Sequence, residues 1–460
     1  DAHQTERRMK LRRILVANRG EIAVRVIRTC QRLGIETVLG ASEVDLDSMG
    51  ARLADSTICI GPANSSASYL SIEAVIAAAV ASKSDAIHPG YGFLSENQRL
   101  AAACQRAGIC FIGPTVEQLD AVGDKLKARG HAAAAGLAGV PGGEAQNIDE
   151  AQRLADQIGW PILIKAVAGG GGRGMKQVRD ASSLSSSMEI ATAEAQASFG
   201  DPRLYIERYI AHGRHIEVQI VGDGEDVIHL GARDCSIQRR YQKLLEEAPS
   251  ANLRETLRED MHRAAVAFAK HLKYRGLGTV EFLVDCDRDT FYFLEMNARI
   301  QVEHPVTEAI CGLDLVEEQI AVAEGRKLPW RQDELKFFGY AVEWRINAED
   351  WTQDFLPSPG TITRAVFPAG QGIRVDTHIQ PGAQVPPYYD SLLGKLIVHG
   401  ADRAETLGKL RRALSNIEIT GVTTNLPMCV ELMRNDEFAR GGVNTAFLQR
   451  FLQNRNAEAA

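Results

Sequence analysis

From Arg12 the chain runs through an apolar RRILVANRG, a helix-like EIAVRVIRTCQRLG and an apolar IETVLGAS, which reads as strand, turn, helix and strand. The alternation continues with TICIG, a helix from Ile72 to Ala81, DAIHPG, a helix from Asn97 to Ala107, and CFIGP. Apolar strands alternating with helices imply a parallel sheet, so residues 11–122 read as a doubly wound α/β domain. Its first turn, Asn18-Arg19-Gly20-Glu21, lacks the GxGxxG that cradles a dinucleotide pyrophosphate, which argues against a nicotinamide domain.

Residues 121 to 136 read as one Ala-rich helix, followed by a Gly/Pro boundary at VPGG. A small unit, 138–209, then carries a helix from Asp149 to Ile158, the strand WPILIKAV, a glycine run, the strand MKQVRD and a Ser/Ala-rich helix; it has the size of a lid. From about Ile210 the chain is strand-rich, with long helices expected at 254–273 and 312–325. A third α/β portion is expected from Tyr340 to Leu452.

Within FYFLEMNARIQVEHP, residues 291–305, five functional side chains recur at a spacing of two. In an extended segment Glu295, Asn297, Arg299, Gln301 and Glu303 share one face, while Phe293, Met296, Ile300 and Val302 mostly supply packing. GTVEFLV precedes a turn, so a hairpin centred on Arg288 places Glu281 opposite Glu295. Two facing carboxylates repel. A divalent cation with a preference for oxygen ligands, Mg²⁺ or Mn²⁺, would remove that repulsion; bridging by arginines without a metal is the alternative.

AGGGGRGM, 168–175, matches GxGxxG formally but is followed by a strand, and Met175 stands where a Walker lysine is needed. Four glycines between two strands make either a flap whose bare N–H groups close over phosphates or a plain flexible loop tip. Lys165 lies in the apolar PILIKAV, where an amine requires a carboxylate or phosphate partner. Lys125 reads as an exposed helix residue, and Glu207 stands where the small unit joins the large one. His215 is either a sheet histidine or a phosphate or ribose contact. RDCSIQRRYQKLLEEAP, 233–249, with Gln238, Arg239, Arg240 and Lys243, reads as a structured loop holding basic groups toward an anion, against the plainer reading of a solvated charged face.

Composition narrows the class. The 460 residues are 45% hydrophobic and 24% charged, as in a globular protein of several cores. A net charge of −7 argues against a nucleic-acid footprint, so any anionic ligand needs a local basic pocket. The 8 cysteines lack CxxC or Cys/His ligand spacing, which fits reduced thiols in a cytoplasmic protein and gives no sign of zinc. No apolar run approaches the length of a membrane span. The polar DAHQTERR reads as a leader.

Taken in order, ANRGEIAVRVIR, HPGYGFLSEN, FIGP, GDK, GGGGRGM, RDCSIQRRYQK, FLEMNARIQVEHPVTE, EWRINAED, FLPSPG, YYDSLLGKL and GVTTN resemble the biotin carboxylase family of ATP-grasp enzymes, from about residue 11 to residue 450. The resemblance implies a pre-ATP-grasp domain (11–122), a lid (138–209), an ATP-grasp core (210–338) and a carboxy-terminal domain (339–452). It implies ATP-dependent formation of carboxyphosphate from bicarbonate and carboxylation of a biotin borne by a separate carrier protein. Matched position by position, Glu281, Glu295 and Asn297 would hold Mg²⁺ or Mn²⁺. Lys125, Lys165, Gly170, Gly171, Gly172, Met175, Glu207, Ile210, His215, Gln238 and Leu283 would contact the nucleotide. Arg299, Gln301 and Val302 would form the bicarbonate pocket, and Lys243 would face the transferring phosphate.

Glu303, expected between Arg299 and His304, would be the base, and Arg345 would stabilise the biotin enolate, with Tyr91 and Asp390 at the biotin end. No AMKM-like biotinylation site occurs, so biotin is expected in trans, with a carrier protein and a carboxyltransferase subunit as partners and a homodimer as the assembly. Other readings are an ATP-grasp ligase making a different acyl phosphate, or a catalytically silent nucleotide-binding regulator. Tyr241 departs from the family's frequent QRRHQK, and ARGHAAAAGLAGVPGG departs from its usual lid entry.

Overall fold

The computed structural model describes residues 9–167 and 175–459. The first unit is a five-stranded parallel sheet of order β3-β2-β1-β4-β5, made of β1 (Arg13–Val16), β2 (Glu36–Ser42), β3 (Ser56–Gly61), β4 (Ala86–His88) and β5 (Cys110–Phe111). The helices Gly20–Arg32, Ile72–Ala81 and Gln98–Ala107 fall where the sequence pattern places them, and Asn97 caps the last through the amides of Arg99 and Leu100. The single helix expected over 121–136 is instead two, Val116–Gly123 and Lys125–Ala134. The break is at Asp124, whose carboxylate accepts from the amides of Leu126 and Lys127 and so starts a new helix.

The small unit is a four-stranded antiparallel sheet of order β6-β9-β7-β8, from β6 (Gly142–Ala145), β7 (Ile162–Ala166), β8 (Lys176–Val178) and β9 (Leu204–Arg208). The helices Ile148–Ile158 and Leu184–Phe199 cover it over a core that includes Ile162, Ile164, Ile206, Ala151 and Met188. Residues 168–174, with the expected contacts Gly170, Gly171 and Gly172, lie outside the described residues, as do residues 1–8 and 460.

The largest element is an eight-stranded antiparallel sheet. In order it takes β14 (Thr290–Asn297), β13 (Arg275–Asp285), β10 (Gly213–Asp223), β11 (Val227–Arg239), β12 (Gln242–Ala248), β15 (Tyr340–Asn347), then the strands Leu392–Gly400 and Ile373–Thr377. The expected loop at 233–249 is therefore a hairpin, with its turn at Arg240 and Tyr241, both at left-handed φ of 47° and 67°. The charge density hid the strand because its charged side chains are internal: Arg233 and Asp234 are buried along with Cys235 and Ile237.

The portion after Tyr340 is likewise not a separate α/β layer, since three of its strands extend the central sheet. Its core, around Trp344, Leu396, Leu410 and Phe438, forms where the helix Arg403–Leu414 packs on those strands. The helix expected over 312–325 spans Leu315–Ala323, and a separate helix, His304–Cys311, ends at Gly312 in the left-handed region (φ 74°).

Candidate active site

The β13–β14 hairpin sets Glu281 opposite Glu295 in the register expected from the sequence. The period-two strip is real only as far as Asn297, where β14 ends; the chain then turns, and Glu303 becomes the residue before the helix His304–Cys311 (φ −82°, ψ 6°). That turn redirects the later side chains. Arg299 lies against Glu96 (Nε to Oε2 2.9 Å), Asn297 Oδ1 (2.8 Å) and the Ile300 carbonyl, and His304 Nδ1 is 2.7 Å from the Gln301 carbonyl. Glu303 is consequently held not by Arg299 and His304 but by Lys243 (2.7 Å) and Arg345 (3.0 Å).

Lys243 is the hub. From β12 its ammonium reaches Glu217 (2.6 Å), Glu281 (3.0 Å) and Glu303 (2.7 Å). Burial disfavours its charge, but the three carboxylates outweigh burial and push its pKa well above the usual lysine range. Beneath it Arg233, fully buried, donates to Glu217 (2.6 Å), Gln219 (2.6 Å), Thr307 (2.9 Å), Thr279 (3.2 Å) and Gln301 (2.6 Å). Gln301 in turn donates to Glu281 (3.0 Å), as does Asn297 (2.9 Å). His215 on β10 brings Nε2 to 2.9 Å from Glu281, and Gln238 lies 3.4 Å from His215 Nδ1.

Electrostatics divide the acids. Burial opposes the charge of Glu281 and Glu303, yet Lys243 with His215 holds Glu281 well below its normal range, and Lys243 with Arg345 and Arg233 does the same for Glu303. Both are carboxylates at neutral pH. Glu295 stands on the solvent side of the cleft, and its pKa is raised by the enclosing walls and then by the charge of Glu281. Where His215, Glu217 and Glu281 converge, and again where Glu217, Cys235 and Glu303 do, the Lys243 ammonium already supplies the cation. On the Glu295 side, the oxygen donors of Glu281, Glu295 and Asn297 fit a hard divalent ion.

The lid side meets this strip through Glu207 on β9, which pairs with Lys165 of β7 and with Arg129 (2.8 Å). Lys125 begins its helix exposed, where Glu295, Lys165 and Glu207 all act on its charge. Leu283 and Ile210 share an apolar patch with Val140, Tyr292 and Leu294. Gly213 permits it, since a Cβ there would stand 2.8 Å from Leu283. Met175 is half-buried just before β8.

A separate cleft of about 180 Å³ is lined by Tyr91, Asp390, Asn18, Arg19 and Tyr389. Tyr91 donates to Glu21, which also pairs with the fully buried Lys395 (3.2 Å), and Lys395 donates to the Val302 carbonyl (2.7 Å). Sequence reasoning missed Arg233, Glu217, Glu246, Glu96 and Lys395. A signal existed for Arg233, Glu217 and Lys395: each is a charge inside an apolar strand, the feature that singled out Lys165.

An ATP-grasp enzyme is the class defined by a small antiparallel lid over a large antiparallel sheet bearing paired acids and basic side chains. Residues 124–331 match the family description "Carbamoyl-phosphate synthase L chain, ATP binding domain", 10–119 "Biotin carboxylase, N-terminal domain" and 343–450 "Biotin carboxylase C-terminal domain". Biotin carboxylase 1 of Bacillus subtilis is 47% identical over 444 residues, covering 96% of this chain and 99% of the relative. A crystal structure of biotin carboxylase from Campylobacter jejuni in a β-γ-ATP complex superposes with a TM-score of 0.92 at 46% identity, covering 96% of this chain and 99% of the other. The biotin carboxylase domain dimer of Hydrogenobacter thermophilus 2-oxoglutarate carboxylase, solved with MgADP, ADP and bicarbonate, gives 0.91 at 44%, covering 96% and 98%. The chain belongs to the biotin carboxylase family.

Proposed function

We propose that this chain carries out the first half-reaction of a biotin-dependent carboxylase: ATP, bicarbonate and a biotin borne on a separate carrier protein give carboxybiotin, ADP and phosphate. The observation that carries the reading is Glu303, a buried carboxylate held by Lys243 at 2.7 Å and Arg345 at 3.0 Å beside the Glu281–Glu295 pair. Bicarbonate sits among Arg299, Gln301 and Val302. Glu303 takes its proton, and a bicarbonate oxygen attacks the terminal phosphorus of ATP as ADP departs. Carboxyphosphate then splits to CO₂ and phosphate, the phosphate takes the biotin N1 proton, and N1 attacks CO₂.

Glu303 as it stands is a weak base, because two cations hold it ionised. When Lys243 swings to the transferring phosphate, one of those cations leaves and the basicity of Glu303 rises toward the value proton transfer requires. Arg345 meets the biotin oxygen whose negative charge grows only during reaction, the proper target for a fixed cation. Mg²⁺ or Mn²⁺ held by Glu281, Glu295 and Asn297 would neutralise phosphate charge. Lys125, Lys165, Glu207, His215 and Gln238 hold the polar parts of the nucleotide, with Gly170, Gly171 and Gly172 over its phosphates. Ile210, Met175 and Leu283 hold its adenine, and Tyr91 and Asp390 border the biotin.

The working domain division is 11–122, 138–209, 210–338 and 339–452. The assembly proposed is a homodimer served by a carrier protein and a carboxyltransferase; the Hydrogenobacter domain, a dimer, supports the former. A cytoplasmic location fits eight free cysteines, and among the described residues no helix is long and apolar enough to cross a membrane. The test is ADP release from purified protein: it is expected to require bicarbonate and to rise with free biotin. Turnover indifferent to both would overturn the reading.

A further inference from the structure

Behind Arg345 lies an acid pair that no role above uses. Arg345 directs both Nε (2.6 Å) and an Nη (2.5 Å) to a single oxygen, Oε1 of Glu246, while the same guanidinium reaches Glu303 at 3.0 Å. Glu246 is fully buried, and its other oxygen, Oε2, has no hydrogen-bond partner. Directly across the β12–β15 ladder stands Glu343, also fully buried, with neither oxygen partnered. Glu343 shares a strand face with Arg345 two residues on, and Arg345 faces Lys395 on the next strand. Two buried, adjacent carboxylates cannot both ionise cheaply, and an unpaired buried acceptor costs free energy.

We propose that Glu246 is the positioning residue for Arg345, and that Glu343, as the neutral acid, donates its proton to the free oxygen of Glu246, directly or through a buried water. The pair then carries one negative charge, concentrated on the oxygen that pins the guanidinium. Arg345 is thereby fixed with Nη2 shared between Glu246 and Glu303 and Nη1 left for the reacting end of biotin, instead of collapsing wholly onto Glu303. The groups facing Glu246 are Arg345 and Glu343 on β15, Glu303 before the helix His304–Cys311 and Lys243 on its own strand, while Lys395 on the next strand acts on Glu343. Burial raises Glu343 well above the usual carboxyl range and Glu246 to about 7, the latter against the pull of Arg345. Loss of the Glu246 charge on acidification loosens Arg345, so the acid limb of biotin carboxylation belongs in part to Glu246.

The inference rests on the proposed function, and the experiment separates the two. If the unaltered chain does not carboxylate free biotin, the functional reading fails first. Given activity, Glu246→Gln is expected to lower kcat for biotin carboxylation about 10- to 100-fold, with the KM for ATP and biotin-independent, bicarbonate-dependent ADP release kept within about threefold. The acid limb of its pH profile between about pH 6 and 8 should flatten. Glu343→Gln, which retains a donor, should lose less than about threefold, and Glu343→Leu about tenfold. In an Arg345→Lys background Glu246→Gln should cause little further loss, a coupling that general damage to the fold would not produce. Equal losses in both backgrounds, an unchanged acid limb, or Glu343→Leu as active as Glu343→Gln would overturn the proposal. If Glu246→Gln does not fold, the Glu343 pair decides it alone.

Discussion

The lid sheet and the central sheet aim charged side chains at one cleft, but they hold them differently. On the central sheet the two inner cations are already satisfied by protein: Lys243 touches three carboxylates, and Arg233 makes five hydrogen bonds with no exposure. On the lid side Lys165 and Arg129 share one carboxylate, Glu207, and both remain partly exposed. The central sheet is thus organised before substrate arrives, and substrate must displace existing partners. The lid charges have less to give up, which suits the nucleotide contacts proposed for them.

The deepest effect should come from the centre. Glu303→Gln removes the proposed proton acceptor, and carboxylation is expected to fall by about 10²- to 10⁴-fold, while nucleotide affinity from equilibrium titration stays within about twofold. A variant retaining most of its activity would remove Glu303 from the role of base. Next in size is Arg233→Met, which takes from buried Glu217 one of its two cations and from Gln301 Oε1 its donor; chemical denaturation should register a loss of about 3 to 5 kcal/mol.

Acid should separate the two regions without mutation. Burial lowers the pKa of His229 on β11 to about 4 and that of His262, against which it stacks, to about 3, whereas residues 138–209 include no histidine. The unfolded chain takes up these protons near pH 6.5 and the folded chain does not. The stability contribution is full above that value and is lost as pH falls toward 4, on the order of 1 to 2 kcal/mol per histidine by pH 5. Hydrogen exchange at pH 5 and 7 should show the central sheet losing more protection than the lid. The smallest effect is expected from Lys165→Ala: the KM for ATP should rise about tenfold with kcat nearly kept, since one charge-assisted bond is lost while Arg129 still holds Glu207. A larger fall in kcat than in affinity would place Lys165 at the chemistry.

The parallel sheet was legible because its inner strands β1, β2 and β4 are largely buried on both faces and separated by helices, so apolar runs mark them directly. The Glu281–Glu295 pairing was legible because a short turn fixes hairpin register. The period-two argument failed beyond Asn297, where the backbone ceases to be extended and side-chain direction no longer follows sequence parity. The β11–β12 hairpin was missed because its charges are neutralised by partners far off in the chain: Arg233 meets Gln301 across 68 positions, and Lys243 meets Glu303 across 60. A local window counts such residues as surface.

What the sequence determined by itself was most of the elements, the facing acid pair and, through ordered motifs, the family. Which cation neutralises which acid was decided only by the tertiary structure. Coulomb energy and hydrogen bonding depend on separation in space and on burial, and both arise when the central sheet brings β10, β12, β13 and β15 side by side. Glu246 and Glu343 are 97 positions apart in the chain, yet they face each other solely because two strands pair.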